Sequence, residues 1–500
     1  MINRRQAIKR IGGLAGLAAM PKFLSACGGE NEPVGITTYV YVMLENRTYD
    51  HVFGARSWKE GKPGNGLTDG IMLPDAAGNP TPLYEPPNMT AQMCVGHDPD
   101  HSWTGSRAQW NSGANDGFLK VHQDEFGAGA MEPLQYLTRK HQPISWALAD
   151  AYTTCDRWHS SILGPTLPNR FYWHAATSAG YRTNAILSSV SNLEVPTIYH
   201  RLRDKNVEWA YYYGSLPVVA ALGNLKGEYA MPADYVTPRV RRFGDSELGI
   251  GQFFKDAAAG VLPPVTYIDP FFYLNDDHPP SHPLLAQQFI SAIYTALAKG
   301  PQWKNCMLVI TYDEHGGFYD HVSPPKTMDD TLEKFGVDEH GEPATDFDQL
   351  GFRVPAMVIG PYVKQGYVSS VQYDHTSALK HLANAFDLES LNVRMDAAND
   401  LSDCIDMDRL MRGEPADPID LPAITVEADD EGNRVSITVG GEVWPWNETE
   451  CELMGASLRT DPISETADRA PEVFAGYADL RPHAETYLTS IDAFLRKHQR

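Results

Sequence analysis

The sequence predicts an α/β fold: a largely parallel central β-sheet with helices on both faces, followed by a small C-terminal α+β appendage. Three observations carry this expectation. Short, strongly apolar runs such as Cys306–Ile310 recur along the chain and read as buried strands. Stretches with apolar residues at helical spacing lie between them, and such alternation implies a parallel sheet with helical crossovers. At 500 residues the chain can hold one large domain and a smaller unit.

Taken in order, the first residues read as an address rather than as fold. Arg4, Arg5 and Lys9 precede a weakly apolar stretch from Ile11 to Met20, which resembles a twin-arginine export signal. The stretch is too short and too rich in glycine to span a membrane. It ends in Leu24-Ser-Ala-Cys27, which resembles a lipoprotein processing box. Residues 1–27 are therefore expected to be the signal, and the mature protein to be exported to the periplasm or cell surface with a lipid on Cys27. The competing reading is a plain cleaved signal in which Cys27 is incidental.

Residues 28–415 form the expected main domain. Ile36–Leu44 is rich in branched and aromatic residues, as strands are. Asn206–Tyr213, Val265–Asp269 and Val354–Ile359 read as further strands, and Pro283–Lys299 and His375–Leu388 as helices. The pattern changes near Pro415. Ala423–Glu427 and Arg434–Val439 alternate around Asp429-Asp-Glu-Gly432, a hairpin signal, and a helix from Pro482 to Lys497 closes the chain. Residues 416–500 are the expected appendage.

Acidic residues number 64 against 41 basic ones, for a formal net charge of −23. Nucleic-acid binding needs Lys and Arg to neutralise phosphates, so that class of partner is excluded, as is a broad basic surface for anionic lipids. Five cysteines follow Cys27, so an exported chain keeps at least one free thiol. Cys306, opening a buried strand, is the candidate; Cys94 with Cys155 and Cys404 with Cys451 are possible disulfides. No cysteine spacing resembles a zinc site.

Two strand ends carry the chemistry. The run at Cys306 stops in Asp313-Glu-His-Gly-Gly317, and the run at Ile36 stops in Glu45-Asn46. Adjacent carboxylates at the end of a buried strand repel each other and lose hydration, so they call for a compensating cation or strong donors. Ligands in open α/β sheets bind beyond the carboxyl ends of the strands. Glu45, Asn46, Asp313 and Glu314 would then bring four oxygen donors to one place, which favours a hard divalent cation. Calcium, magnesium and manganese fit such donors equally.

Glu45-Asn-Arg-Thr-Tyr-Asp-His-Val-Phe-Gly54, Gly164-Pro-Thr-Leu-Pro-Asn-Arg170, Asn275-Asp-Asp-His-Pro-Pro280, the Asp313 block and Asp374-His-Thr-Ser377 occur in that order. This set resembles the bacterial phosphoesterase family of non-specific phospholipases C and acid phosphatases, from about Ile36 to about Leu388. The resemblance implies an alkaline-phosphatase-like fold and phosphoester hydrolysis with one divalent metal ion. It places Thr166 at the nucleophile and in the metal sphere, giving a phosphothreonine intermediate, with the helix read as starting near Asn169. The ordinary role of a threonine at a helix start is an N-cap. His278 and His101 are placed at the phosphate, with His97 the alternative to His101. Asn46 and Asn169 are expected to bind substrate, and His375 to line the site or only to support it.

The Gly-Pro-Thr form of the nucleophile motif resembles the phospholipase C branch, so a phospholipid is the expected substrate. Trp103, Phe171-Tyr-Trp173 and Phe271-Phe-Tyr273 are candidates for caging a quaternary ammonium head group, or are simply core. The alternatives are an acid phosphatase acting on monoesters and a non-catalytic surface lipoprotein. No histidine lies between His200 and His278, where some family members have one; a tyrosine of Tyr211-Tyr-Tyr213 is the expected substitute.

Overall fold

The structure is a computed structural model that describes residues 35–86, 97–184, 195–215, 217–222, 239–242, 251–272, 274–279, 283–428, 434–445 and 481–498. The expected signal and Cys27, together with Cys94, Tyr273 and Cys451, fall outside these residues.

Eight strands make the central sheet: β1 Thr38–Leu44, β2 Thr153–Cys155, β3 Trp209–Tyr213, β4 Val240–Arg242, β5 Val265–Asp269, β6 Cys306–Tyr312, β7 Ala356–Ile359 and β8 Tyr367–Ser369. Their order is β8-β2-β7-β6-β1-β5-β3-β4. Only β7 runs against its neighbours, pairing antiparallel with β2 and β6. Every residue of β1 and β6 is buried, which is why both runs are apolar throughout rather than alternating.

Two strands start later than their sequence predicts. Pro355 has no N–H for the ladder, so β7 begins at Ala356. Asn206 has φ 56°, a left-handed turn ending the helix Ile198–Asp204, so β3 begins at Trp209. Strands β2, β4 and β8 have three residues each, too few to show a period in sequence.

The helices that matter here are α1 Trp103–Trp110, α2 Phe118–Phe126, α3 Pro143–Ala151, α4 Thr166–Ala175, α5 Gln252–Ala259, α6 Pro283–Lys299, α7 His375–Phe386 and α8 Arg481–His498. One layer pairs α4 with α7, and a second gathers α3, α5 and α8 around α6. On β1, the Tyr39 ring meets His381 and Phe386 of α7, and Tyr41 meets Trp173 of α4. Val40 and Val42 point the opposite way, as a pleated strand requires. Each such fully buried side chain contributes about 1.5–3 kcal/mol.

Beyond Pro415, β9 Ile424–Ala428, β10 Arg434–Val439 and β11 Glu442–Pro445 form a three-stranded antiparallel sheet. Helix α8 packs on α6, and Phe494 stacks on Phe254 of α5 with ring centroids 4.2 Å apart. Trp303 Nε1, just before β6, donates to Ala416 O at 3.0 Å. The tail thus leaves the main domain beside the amino end of β6. Ile424, Ile437, Ile491 and Leu495 join the same core as the central sheet.

Cys94 and Cys451, the other halves of the two possible disulfides, lie outside the described residues. Cys155 and Cys404 are free, buried thiols that face each other with Sγ atoms 3.9 Å apart, because the turn Leu401–Cys404 packs beside the end of β2. Cys306 is the buried free thiol its strand position predicts. Among the described residues, no helix is long and apolar enough to cross a membrane.

Candidate active site

The register of the sheet builds the site. Leu44 of β1 pairs with Tyr312 of β6, so Glu45 and Asp313 leave the carboxyl edge side by side. Asp313 N donates to Leu44 O at 3.1 Å, and Arg47 N to Glu314 O at 3.1 Å. Asn46 turns with φ 57°, a conformation asparagine tolerates. Its N–H donates to Asp313 Oδ1 at 3.2 Å. Gly316 has φ 63°, and a Cβ there would lie 2.3 Å from Asn46 O. Only glycine lets these two loops touch.

A cation already stands among the carboxylates. Arg170 of α4 reaches Glu45 Oε1, Asp269 Oδ1 and Asp313 Oδ2, each at 3.1 Å, and is 1% exposed. The hydroxyl of Tyr211 donates to the other oxygen of Asp269. Burial pushes the Asp313 carboxyl up to about 7, against Arg170 and with the help of Glu314. Burial likewise raises Asp269 to about 6 and drives Glu45 well above the usual range, although Arg170 opposes both. One guanidinium therefore does not neutralise the edge.

Glu314 is different. Burial disfavours its charge, but His101 and His315 outweigh burial and hold it below the ordinary value. Burial also opposes the charge on His101, yet Glu314 and Asp98 raise it to about 9. His101 Nδ1 sits 2.8 Å from Pro99 O, which leaves Nε2 facing the Asn46 amide at 3.3 Å. His278 repeats the device: Nδ1 lies 2.5 Å from Pro279 O, and Nε2 lies 3.9 Å from Asp98 Oδ2. The two imidazole centroids are 5.7 Å apart. His97 instead meets Glu132, so His101 is the histidine beside Asn46 and His278.

Thr166 is the first residue of α4, three residues ahead of the expected start. It is not the N-cap, since Pro165 holds that position, and its hydroxyl makes no hydrogen bond to a described residue. Arg170 lies four residues on, so Thr166 and Arg170 share one helix face.

The Phosphoesterase family profile matches residues 36–389. The chain belongs to the Phosphoesterase family. Phospholipase C A of Mycobacterium tuberculosis is 31% identical over 77% of this chain and 81% of its own length. Phospholipase C B of the same species is 31% identical over 69% and 72%. Non-specific phospholipase C6 of Arabidopsis thaliana is 30% identical over 71% and 69%. Similar solved structures include an alkaline phosphatase superfamily protein from Vibrio parahaemolyticus, at 10% identity and a TM-score of 0.33 over 72% of this chain and 82% of that one. The protein is a phosphoric ester hydrolase with an α/β fold built on a largely parallel central sheet.

In this phosphoesterase, three site expectations need correction. Asn169 does not face substrate: its Oδ1 accepts from Ile162 N at 3.0 Å and its Nδ2 donates to Gly164 O at 2.9 Å. It braces the loop that presents Thr166. His375 also stands behind the site. Its Nε2 lies 2.6 Å from Asp313 O, and its Nδ1 accepts from Trp158 Nε1 at 3.3 Å. Burial lowers its pKa to about 4, so it is a neutral support for Asp313. The third concerns the aromatic candidates, of which Phe271 is buried, Phe272 lies against Arg170 at 4.9 Å and Tyr273 lies outside the described residues. Phe171, Tyr172 and Trp173 are core, and the Trp103 ring is engaged by Arg107 at 3.2 Å and Arg182 at 4.7 Å. Two guanidiniums on one ring exclude a third cation.

The expected metal ligands share the edge but do not converge on one point, because Arg170 bridges Glu45 and Asp313. The donor set nonetheless fits a hard divalent cation. Asn46 Oδ1 and Glu314 Oε1 are buried oxygens without a hydrogen-bond partner. Buried oxygens are rarely left so.

Sequence reasoning missed Arg170 and Asp269. Asp269 ends a buried strand just as Glu45 and Asp313 follow theirs, and that repeat was readable. It also claims Tyr211, the tyrosine region expected to replace a missing histidine.

Proposed function

We propose that this phosphoesterase acts as a phospholipase C, cleaving the phosphodiester of a phospholipid through a phosphothreonine on Thr166. The observation that carries the reading is Thr166 itself: a helix-start hydroxyl that caps nothing, on the face of Arg170. The names of the relatives favour a diester over the monoester of an acid phosphatase.

Thr166 gives its hydroxyl proton to water as Oγ1 attacks phosphorus in line, and the backbone N–H groups at the start of α4 favour the phosphate charge. The bond from phosphorus to the glycerol oxygen breaks. His278 protonates that leaving oxygen, and water then hydrolyses the phosphothreonine. His101, charged at neutral pH, donates to a phosphoryl oxygen. Arg170 holds Glu45 and Asp313 apart and ordered, and His375 fixes Asp313 from behind. A single divalent cation held by Glu45, Asn46, Asp313 and Glu314, with Thr166 at its side, would supply a lowered hydroxyl pKa and a polarised phosphoryl oxygen.

Thr166→Ala tests the assignment. Turnover of a chromogenic phosphodiester should fall by about 10³-fold or more. Undiminished turnover sinks the nucleophile. Hydrolysis of phosphatidylcholine set against an aryl phosphate decides diester or monoester, and a strong monoester preference points to the phosphatase. We also infer twin-arginine export and a lipid on Cys27; Cys27→Ser should then release the protein from the membrane fraction.

A further inference from the structure

Among the described residues, three groups bring three metal-ligating side chains within 4.8 Å. Asp98, His101 and His278 belong to the catalytic cleft. Asp50, Asp320 and His321 are already bound to Arg353. His97, His122 and Glu132 have no such occupant: the ion-pair partners of Glu132 are both histidines.

We propose that His97, His122 and Glu132 form a binding site for a borderline divalent cation of the zinc class, outside the catalytic cleft. Two imidazoles and one carboxylate are the donor set of three-ligand zinc sites, with water in the fourth position. Imidazole donors select zinc, cobalt or copper rather than calcium or magnesium. One ligand atom from each residue lies within 4.8 Å of the others, against about 3.3 Å between ligand atoms around a tetrahedral zinc. His97 Nδ1 is 3.4 Å from Glu132 Oε1, and His122 Nε2 is 2.7 Å from Glu132 Oε2. The second pair opens by about half an ångström to admit the ion.

Each ligand comes from a different segment and is held in place. His122 is buried on α2 and engages a partner only through Nε2, its Nδ1 having none. Glu132 opens a 3-10 turn, and its carboxylate accepts from Met131 N at 2.8 Å and His97 N at 3.0 Å. Phe126 stacks on the His97 ring, 4.3 Å between centroids. His97 lies four residues before His101. A cation here would clamp the segment carrying Asp98 and His101 onto α2, fixing the position of the phosphate-side histidine.

The test is calorimetric titration of Zn²⁺ into the full chain already saturated with Ca²⁺. One equivalent should bind, and His97→Ala should weaken it about 100-fold, since His97 is half-exposed and its loss spares the core. With Co²⁺ as probe, the parent should show the intense visible bands of a tetrahedral ion, and the variant should lose them. Zinc binding unchanged by His97→Ala, no zinc equivalent at all, or only weak octahedral cobalt bands would each overturn the site. Thr166 plays no part in either readout, so the hydrolytic reading can fail while this one stands.

Discussion

Two arginines lie buried on the carboxyl side of the sheet, and each is surrounded by acids. Around Arg353 the charges close. Its Nε donates to Asp320 at 2.8 Å and its Nη2 to Asp50 at 3.0 Å, while Nη1 donates to the carbonyls of Asn65 and Asp156. His321 adds a bond to Asp50 at 2.6 Å. One guanidinium and one imidazole meet two carboxylates, and every carboxylate oxygen has a donor. Around Arg170 the charges do not close. Glu45, Asp269, Asp313 and Glu314 face one guanidinium and the charged His101, and two oxygens lack partners. Four acids against one guanidinium and one imidazole leave the edge short of positive charge, a deficit that one divalent cation would fill. The same residue types thus build a closed strut in one place and an open reactive edge in the other.

The largest expected effect separates the two arginines. Arg353→Met strands Asp50 and Asp320 without a partner, which should cost about 3–5 kcal/mol. No added salt should recover it. Arg170→Met should destabilise by a similar amount, but millimolar calcium, magnesium or manganese should return part of the loss. Denaturant midpoints measured with and without each salt check this. Equal insensitivity of both variants would erase the distinction.

A smaller effect concerns the parent protein. A divalent cation at 100 times its dissociation constant should raise stability by about 2.7 kcal/mol relative to chelated protein. Glu314→Gln should abolish that increment. Asp320→Asn should lower stability yet keep the increment in full. An increment surviving Glu314→Gln would move the cation away from this edge.

The contrast also explains what was legible in sequence. Glu45, Asn46, Asp313 and Glu314 announced themselves because each follows an apolar run that can only be a buried strand. The sheet class followed from the same runs. Arg170 did not, because a helix residue's reach depends on crossing angle and rotamer, which no local pattern encodes. Asn169 and His375 read as substrate contacts for a related reason. A polar residue in a site motif can point at the ligand or at the loop behind it, and only the backbone decides. The competing reading of Thr166 as a cap fell once Pro165 was found at that position. His97 and His101 could not be told apart until Nε2 of one was found beside Asn46.

The smallest predicted effect tests the closed cluster through pH. Burial works against a charge on His321, but the hydrogen bond and charge of Asp50 outweigh it and raise its pKa above the ordinary value. A histidine raised on folding binds its proton more tightly in the folded state. Its contribution is fully present below the unfolded pKa, about 6.5, and is lost as pH rises through the folded value. The parent should therefore lose a little stability from this group as pH rises from about 6.5 through the raised folded value. The loss is modest because the ring is 25% exposed and solvent screens the pair. His321→Gln keeps a donor for Asp50 but cannot titrate, so the slope of melting temperature against pH should flatten over that window. Chelated protein should be used, so that the edge around Arg170 holds its charge constant between parent and variant. A variant with the parent's slope would mean that Asp50 draws its balance from Arg353 alone.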